Sequence, residues 1–304
     1  LASMGVKAAL LWMLSDWRPA GRYDGRALRA MAPYSLRLLA TDLISTLYNN
    51  ISQLFVGKMY SAEMLGFFNQ GQKLKDLPVT ATIQSVQNVS FPALSKIRED
   101  SGKFAEGYRQ LLLMVAFVVS PVMLGMVAVA EELFALFLGE KWMPTVPYFE
   151  ILSLSGLFMP LAMVACNVLK ARSDGSVIVR LEVVKKTVQT LILAVSIPCG
   201  VRAIAWGVVA MAFCELALNL RAARRFAELS FGRIARAIVP AVLLSVAMFA
   251  AVRLYGDVVT LALPLLLLTK ILLGAVLYIG LSLAFRLEAA QVALGMLRRM
   301  RERS

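Results

Sequence analysis

Histidine is absent from the 304 residues of this chain, and charged residues make up only 17% of it. The first absence removes the commonest acid–base group and metal ligand, and with it a catalytic triad of the usual kind. The second separates the chain from soluble domains, which run about 25% charged. Cysteine is limited to Cys166, Cys199 and Cys214, each inside an apolar run. No pair has metal-ligand spacing and no disulfide framework is implied, so they read as small packing residues. Glycine-rich phosphate loops, metal-spaced cysteine clusters and nucleophile elbows are missing too. No catalytic residue, metal or cofactor is therefore assigned, and an enzyme is not expected. The chain opens on Leu1, with neither an initiator methionine nor the basic start of a signal peptide. The expectation is a chain that begins partway through a larger protein.

What is present is hydrophobic, at 59% of residues against about 45–50% in soluble domains, and it is gathered into runs. Leu111–Ala130 and Ile151–Leu169 carry no charge at all. A helix crosses the hydrocarbon core of about 30 Å with about 20 apolar residues. The pattern predicts an all-α, polytopic transmembrane bundle with eight spans, near 33–57, 64–92, 110–130, 146–169, 176–198, 202–220, 237–254 and 258–285. A partial apolar stretch at 4–17 precedes them. Pro78, Pro121, Pro160, Pro198, Pro240 and Pro264 interrupt these runs, which membrane helices tolerate where neighbours re-satisfy the freed backbone.

The connections alternate in charge. Residues 18–37, 93–109, 170–186, 221–236 and the tail from 286 are rich in Lys and Arg, whereas the intervening connections hold only Lys58, Lys141, Arg202 and Arg253. Basic connections mark the cytoplasmic side, which predicts a cytoplasmic C-terminus and external segments at 58–63 and 131–145. The net charge of +13 then reflects topology and anionic headgroups. A nucleic-acid partner is not expected, because the cations are divided among loops instead of gathered on one surface.

Function is sought in polar groups that a bilayer would exclude. In the first span Asp42, Thr46, Asn49 or Asn50, and Gln53 recur every three or four residues and share a helix face. In the second, Asn69, Lys73, Asp76, Thr80, Gln84 and Gln87 do the same, with Gln70, Gln72, Lys75 and Asn88 nearby. A charge at mid-bilayer costs about 2.5–3.5 kcal/mol on insertion scales, so this stripe is expected to line a protein interior or wet cavity. The plainer reading is interhelical glue, with Lys73 and Asp76 neutralising each other at i,i+3. Lys73 and Lys75 lie about 200° apart on a helix, so only Lys73 shares the polar face and Lys75 is left to pack or snorkel. Lys270 interrupts the last span, and Glu182, Lys185 and Lys186 fit snorkelling or local pairing. The largest outer connection, Glu131–Pro147, is too short for a soluble catalytic domain. Transport is the better class.

The stretch Tyr48–Leu94 carries an asparagine-bearing span, VGK at its outer end, LGFFNQGQKL and a proline, before FPALSKIRED enters the next basic loop; LFALFLGEKWMPTVPYFEILSL follows further on. These residues resemble the polysaccharide transporters, Wzx-type lipid-linked oligosaccharide flippases of the superfamily that contains MATE and MurJ proteins. The resemblance implies two six-helix lobes around a cavity. On it, residues 1–17 end a preceding helix, 18–32 form a cytoplasmic linker, 33–220 form the second lobe, 221–285 add two further helices, and 286–304 form a basic cytoplasmic tail. The first lobe is missing. It implies alternating-access flipping of polyprenyl-diphosphate-linked oligosaccharide in the bacterial inner membrane, with membrane lipids and polysaccharide polymerase and export proteins as partners. Lys73 and Lys75 become candidates for the diphosphate, and Asn49, Asn50, Gln53, Asn69, Gln72 and Gln87 for sugar hydroxyls. Asp42 and Asp76 become candidates for ion coupling. A multidrug or cation antiporter of the same fold, and a non-transporting scaffold of a polysaccharide assembly complex, are the alternatives.

Overall fold

A computed structural model describes residues 2–15, 50–173 and 176–301. The chain divides into two compact units, residues 1–50 and 51–304. In the first, α1 (Ala2–Leu14) is an apolar helix of 13 residues, about 20 Å long at 1.5 Å per residue and short of a full crossing. The expected linker at 18–32 and most of the first full span, with Asp42, Thr46 and Asn49, lie outside the described residues.

The second unit begins in α2, helical over residues 50–59, and continues through helices only. They are α3 (Ala62–Lys96), α4 (Ser101–Ala128), α5 (Ala130–Phe137), α6 (Val146–Arg172), α7 (Ser176–Ser196), α8 (Val201–Ala227), α9 (Phe231–Val258), α10 (Leu263–Ala284) and α11 (Glu288–Arg301). The sequence explains several boundaries. Ser61 caps α3 by accepting the Met64 N–H at 3.1 Å, and Asp100 caps α4 by accepting from Lys103 N at 3.0 Å. Pro198 sits in the short 3₁₀ turn between α7 and α8, and Pro264 stands in the first turn of α10. There the missing N–H is an orphan in any case, so the last span starts at Leu263, later than the expected 258.

Five helical segments are long and apolar enough to cross a membrane: Ser101–Ala128, Glu140–Arg172, Val201–Ala227, Phe231–Val258 and Leu263–Ala284. The chain is thus a multi-pass membrane protein. Helices α3 and α7, also expected as spans, are long enough but too polar to qualify on composition. α6 is the central helix, flanked by α3, α4 and α8, while α9 packs on α4, α10 on α9, and α7 on α8. Small residues set these approaches. A Cβ on Gly71 of α3 would stand 3.1 Å from the Phe149 backbone nitrogen of α6. The main core joins Val79, Leu94, Tyr108, Leu112, Val164, Val168 and Ala223 across α3, α4, α6 and α8.

The described parts of the connections at 93–109, 170–186 and 221–236 meet at one end. Arg172 donates to the Arg98 carbonyl at 2.8 Å and to the Phe226 carbonyl at 2.9 Å, while Ser101 meets Glu228. At the opposite end the outer connection is not a plain loop. It folds as α5 and a 3₁₀ turn at Glu140–Thr145, with Phe134 and Glu132 buried. Sequence reading missed this because an eight-residue helix earns its stability only from the neighbours that cover it.

Candidate functional site

Helix α3 has two faces, and the spacing of its residues makes them. Phe68, Gly71, Lys75, Val79, Val86, Ser90 and Leu94 recur every three, four or seven residues and are buried. The polar stripe falls on the other side. Together with α2 it forms a groove of about 510 Å³ lined by Gln53, Asn69, Gln72, Lys73, Asp76, Leu77, Thr80, Ala81 and Gln84. Gln53 Nε2 donates to Gln72 Oε1 at 3.1 Å and ties the two walls together. Asn69 Oδ1 is buried, with no donor among the described residues. An unsatisfied buried acceptor is costly, and Asn69 is also one of the residues that line the groove.

Charge in the groove is unequal. Lys75 is 2% exposed and lies on the packing face, outside the groove. Its Nζ contacts Asp76 Oδ1 at 2.6 Å, and the Asp76 side chain is 42% exposed toward the groove. Asp76 is thus paired from behind by Lys75, and not by Lys73 as the i,i+3 spacing suggests. Lys73 is exposed in the groove with no carboxylate within 4 Å among the described residues. The lining keeps one uncompensated cation amid amide and hydroxyl groups.

Of the other candidates, Asn50 is half-buried in α2 and does not line the groove. Gln87 is exposed beyond its end, with Nε2 3.5 Å from Met163 Sδ. Thr80 and Gln84 belong to the lining, as do Leu77 and Ala81, which polarity alone does not single out. Asn167 donates to Ser90 Oγ at 2.8 Å and Asn219 to the Ala162 carbonyl at 3.1 Å. Both are buried interhelical glue. Lys185 pairs locally with Glu182 at 2.7 Å, and also across to Glu215 of α8 at 3.4 Å. Lys270 is buried against Glu132 of α5, a partner far away in sequence. Among the described residues no cluster of three or more Cys, Asp or Glu is placed to hold a metal ion.

A polytopic all-α bundle with a polar groove between α2 and α3 defines the class, a multi-pass helical membrane protein. The solved structure of a lipid II flippase MurJ, in an inward closed conformation, matches this chain with a TM-score of 0.67. The match covers 84% of this chain and 55% of that one at 16% identity, which establishes likeness of fold. Residues 1–147 match the family model described as Polysaccharide biosynthesis protein. The teichuronic acid biosynthesis protein TuaB of Bacillus subtilis is 28% identical over 55% of this chain and 36% of its own length. The lipopolysaccharide biosynthesis protein WzxC of Escherichia coli is 26% identical over 46% of this chain and 29% of its own length. The alignments thus span about a third of the curated relatives. The family-model match and the two relatives all concern polysaccharide biosynthesis proteins, in line with the resemblance carried by the Tyr48–Leu94 residues.

Proposed function

We propose that this chain is part of a transporter that flips a polyprenyl-diphosphate-linked oligosaccharide across the bacterial inner membrane by alternating access. The observation that carries the reading is Lys73, a cation with no carboxylate within 4 Å among the described residues, in a groove lined by four amides, Thr80, the Lys75-paired Asp76 and the apolar Leu77 and Ala81. A diphosphate is a strong acceptor for an ammonium, and sugar hydroxyls pair with Gln53, Asn69 and Gln72. The names of the relatives, in polysaccharide biosynthesis, support the same substrate class. The role is transport, not catalysis. An anionic, sugar-bearing headgroup does not cross hydrocarbon unaided, and rocking of one lobe against another around such a groove carries it over. Residues 33–220 supply one lobe, 221–285 the two added helices and 286–304 a cytoplasmic tail, on this reading. The partners are the lipid-linked oligosaccharide, surrounding lipids, and polymerase or export proteins.

The test is reconstitution of the full-length transporter containing this chain with a fluorescent lipid-linked oligosaccharide. Headgroup movement between leaflets is followed by quenching. Flipping lost on Lys73→Gln supports the reading; efflux of lipophilic cations with no lipid movement favours an antiporter and ends it.

A further inference from the structure

The basic end of the bundle holds a second site with no residue in common with the groove. Two of its arginines are engaged by the protein itself. Arg172 donates to two backbone carbonyls and covers the Phe104 ring at 4.0 Å. Arg224 stacks over Phe231 at 4.2 Å. Arg221 and Arg225 are different. They are exposed, they carry no ion pair or hydrogen bond among the described residues, and they share one face of α8 at i,i+4 spacing. Between α7 and α8 they border a cleft of about 380 Å³, otherwise lined by Val177, Leu181, Leu218, Ala222 and Phe226. That size is within the range of ligand pockets, about 300–1,000 Å³. The Phe226 carbonyl is held by Arg172 at 2.9 Å, so the cleft floor is fixed.

Depth along the helix identifies the occupant. α8 is apolar enough to cross the membrane and begins at Val201. Arg221 follows after about 20 residues, or about 30 Å, which is the hydrocarbon thickness. The two guanidiniums therefore emerge where lipid headgroups lie. The cleft walls next to them, Val177 and Leu181 in the first turns of α7, stay apolar. A cation pair at headgroup level above an apolar wall matches one molecule, with an anionic head and a hydrocarbon tail.

We propose that this cleft binds an anionic phospholipid of the inner leaflet, its phosphate on Arg221 and Arg225 and an acyl chain along Leu181 and Leu218. Two guanidinium forks on one phosphate give charge-assisted, bidentate contacts, and basic pockets between membrane helices are suited to such heads. The site is separate from substrate flipping and stands whatever the groove transports.

The test uses the whole chain in nanodiscs containing phosphatidylglycerol and phosphatidylcholine, with retained lipid counted by native mass spectrometry during delipidation. Arg221→Gln with Arg225→Gln should lower phosphatidylglycerol retention by about tenfold or more. Arg233→Gln with Arg236→Gln, which removes equal charge at the same end, should change it less than about twofold. Leu181→Trp keeps both arginines, fills the apolar wall and should also lower retention; it carries the test alone if the arginine variant does not fold. Equal loss in both arginine pairs would mean diffuse attraction and overturn the site. Unchanged retention in Leu181→Trp would overturn the seated chain, and displacement of the lipid by inorganic phosphate would reassign the cleft to a free anion.

Discussion

Breaking the Lys270–Glu132 pair should destabilise the bundle far more than removing it whole. Lys270 is 4% exposed and Glu132 7%, and they meet across α10 and α5. The second oxygen of Glu132 has no partner among the described residues, so Lys270 is its one close cation. Replacing Lys270 by Met leaves a buried carboxylate alone, for which about 3–5 kcal/mol is expected. Glu132→Gln should cost a similar amount by stranding the ammonium. The double variant removes both charges, and apolar replacement of a buried pair is often near neutral. A coupling of about 3 kcal/mol or more should therefore appear in the cycle. Gly256 gives an independent handle. A Cβ there would fall 2.2 Å from Lys270 Cε and 2.3 Å from its Nζ, so Gly256→Ala must shift the end of the lysine side chain, and it should destabilise less than Lys270→Met because both charges remain. Equilibrium unfolding in mixed micelles measures all five proteins. Additive single variants, with coupling under about 0.5 kcal/mol, would refute the buried pair.

Lys73→Gln should cut flipping by about tenfold or more while leaving membrane abundance and melting temperature unchanged, since no described residue pairs with it. Measuring all three on one preparation checks this, and normal transport by a stable variant removes Lys73 from the site. In a cysteine-free background, Ser101→Cys should resist an impermeant thiol reagent in intact cells, because the α3–α4 connection lies with the basic end; ready labelling would reverse the sidedness. The Arg109 guanidinium, which bonds Glu288, holds that carboxyl below its ordinary value. The pair's contribution to docking of α11 is thus complete above the ordinary carboxylate range and is lost as pH falls through the lowered pKa. Protection of the Gln291 amide, which donates to the Leu287 carbonyl, corrected for the intrinsic exchange rate, should fall on acidification to about pH 3, and flat protection would show that the pair contributes nothing.

The two faces of α3 were legible because a 3.6-residue period sorts side chains before any neighbour is known. The separation of Lys73 from Lys75 follows from the same geometry. Which lysine pairs with Asp76 was not legible. The i,i+3 spacing favours Lys73, but Lys75 is buried on the packing face of α3 and its ammonium turns to its neighbour Asp76, and that burial depends on helices distant in sequence. The same limit explains Lys270. Its partner Glu132 lies 138 residues earlier, in a segment that reads as a loop. The roles of Arg221 and Arg225 in a cleft were hidden for a different reason: in sequence they look like any cations of a basic connection, and only the engagement of Arg172 and Arg224 elsewhere sets them apart.

Asp76 has two readings, and the Lys75 contact separates them. As an ion-coupling carboxylate, Asp76 must gain and lose a cation or proton in each cycle. As a counter-charge, it only balances a buried ammonium and keeps its attraction from adding to that of Lys73. Asp76→Asn alone does not decide between them, because it leaves Lys75 buried without a partner, at about 3–5 kcal/mol, and transport falls through instability in either case. Lys75→Met combined with Asp76→Asn removes both charges together, and this variant should be nearly as stable as the parent. Net charge around the groove is then unchanged and Lys73 is still uncompensated. The counter-charge reading, which the 2.6 Å pairing favours, expects flipping within about threefold of wild type. Loss of flipping in this stable double variant would instead place Asp76 in the transport cycle itself.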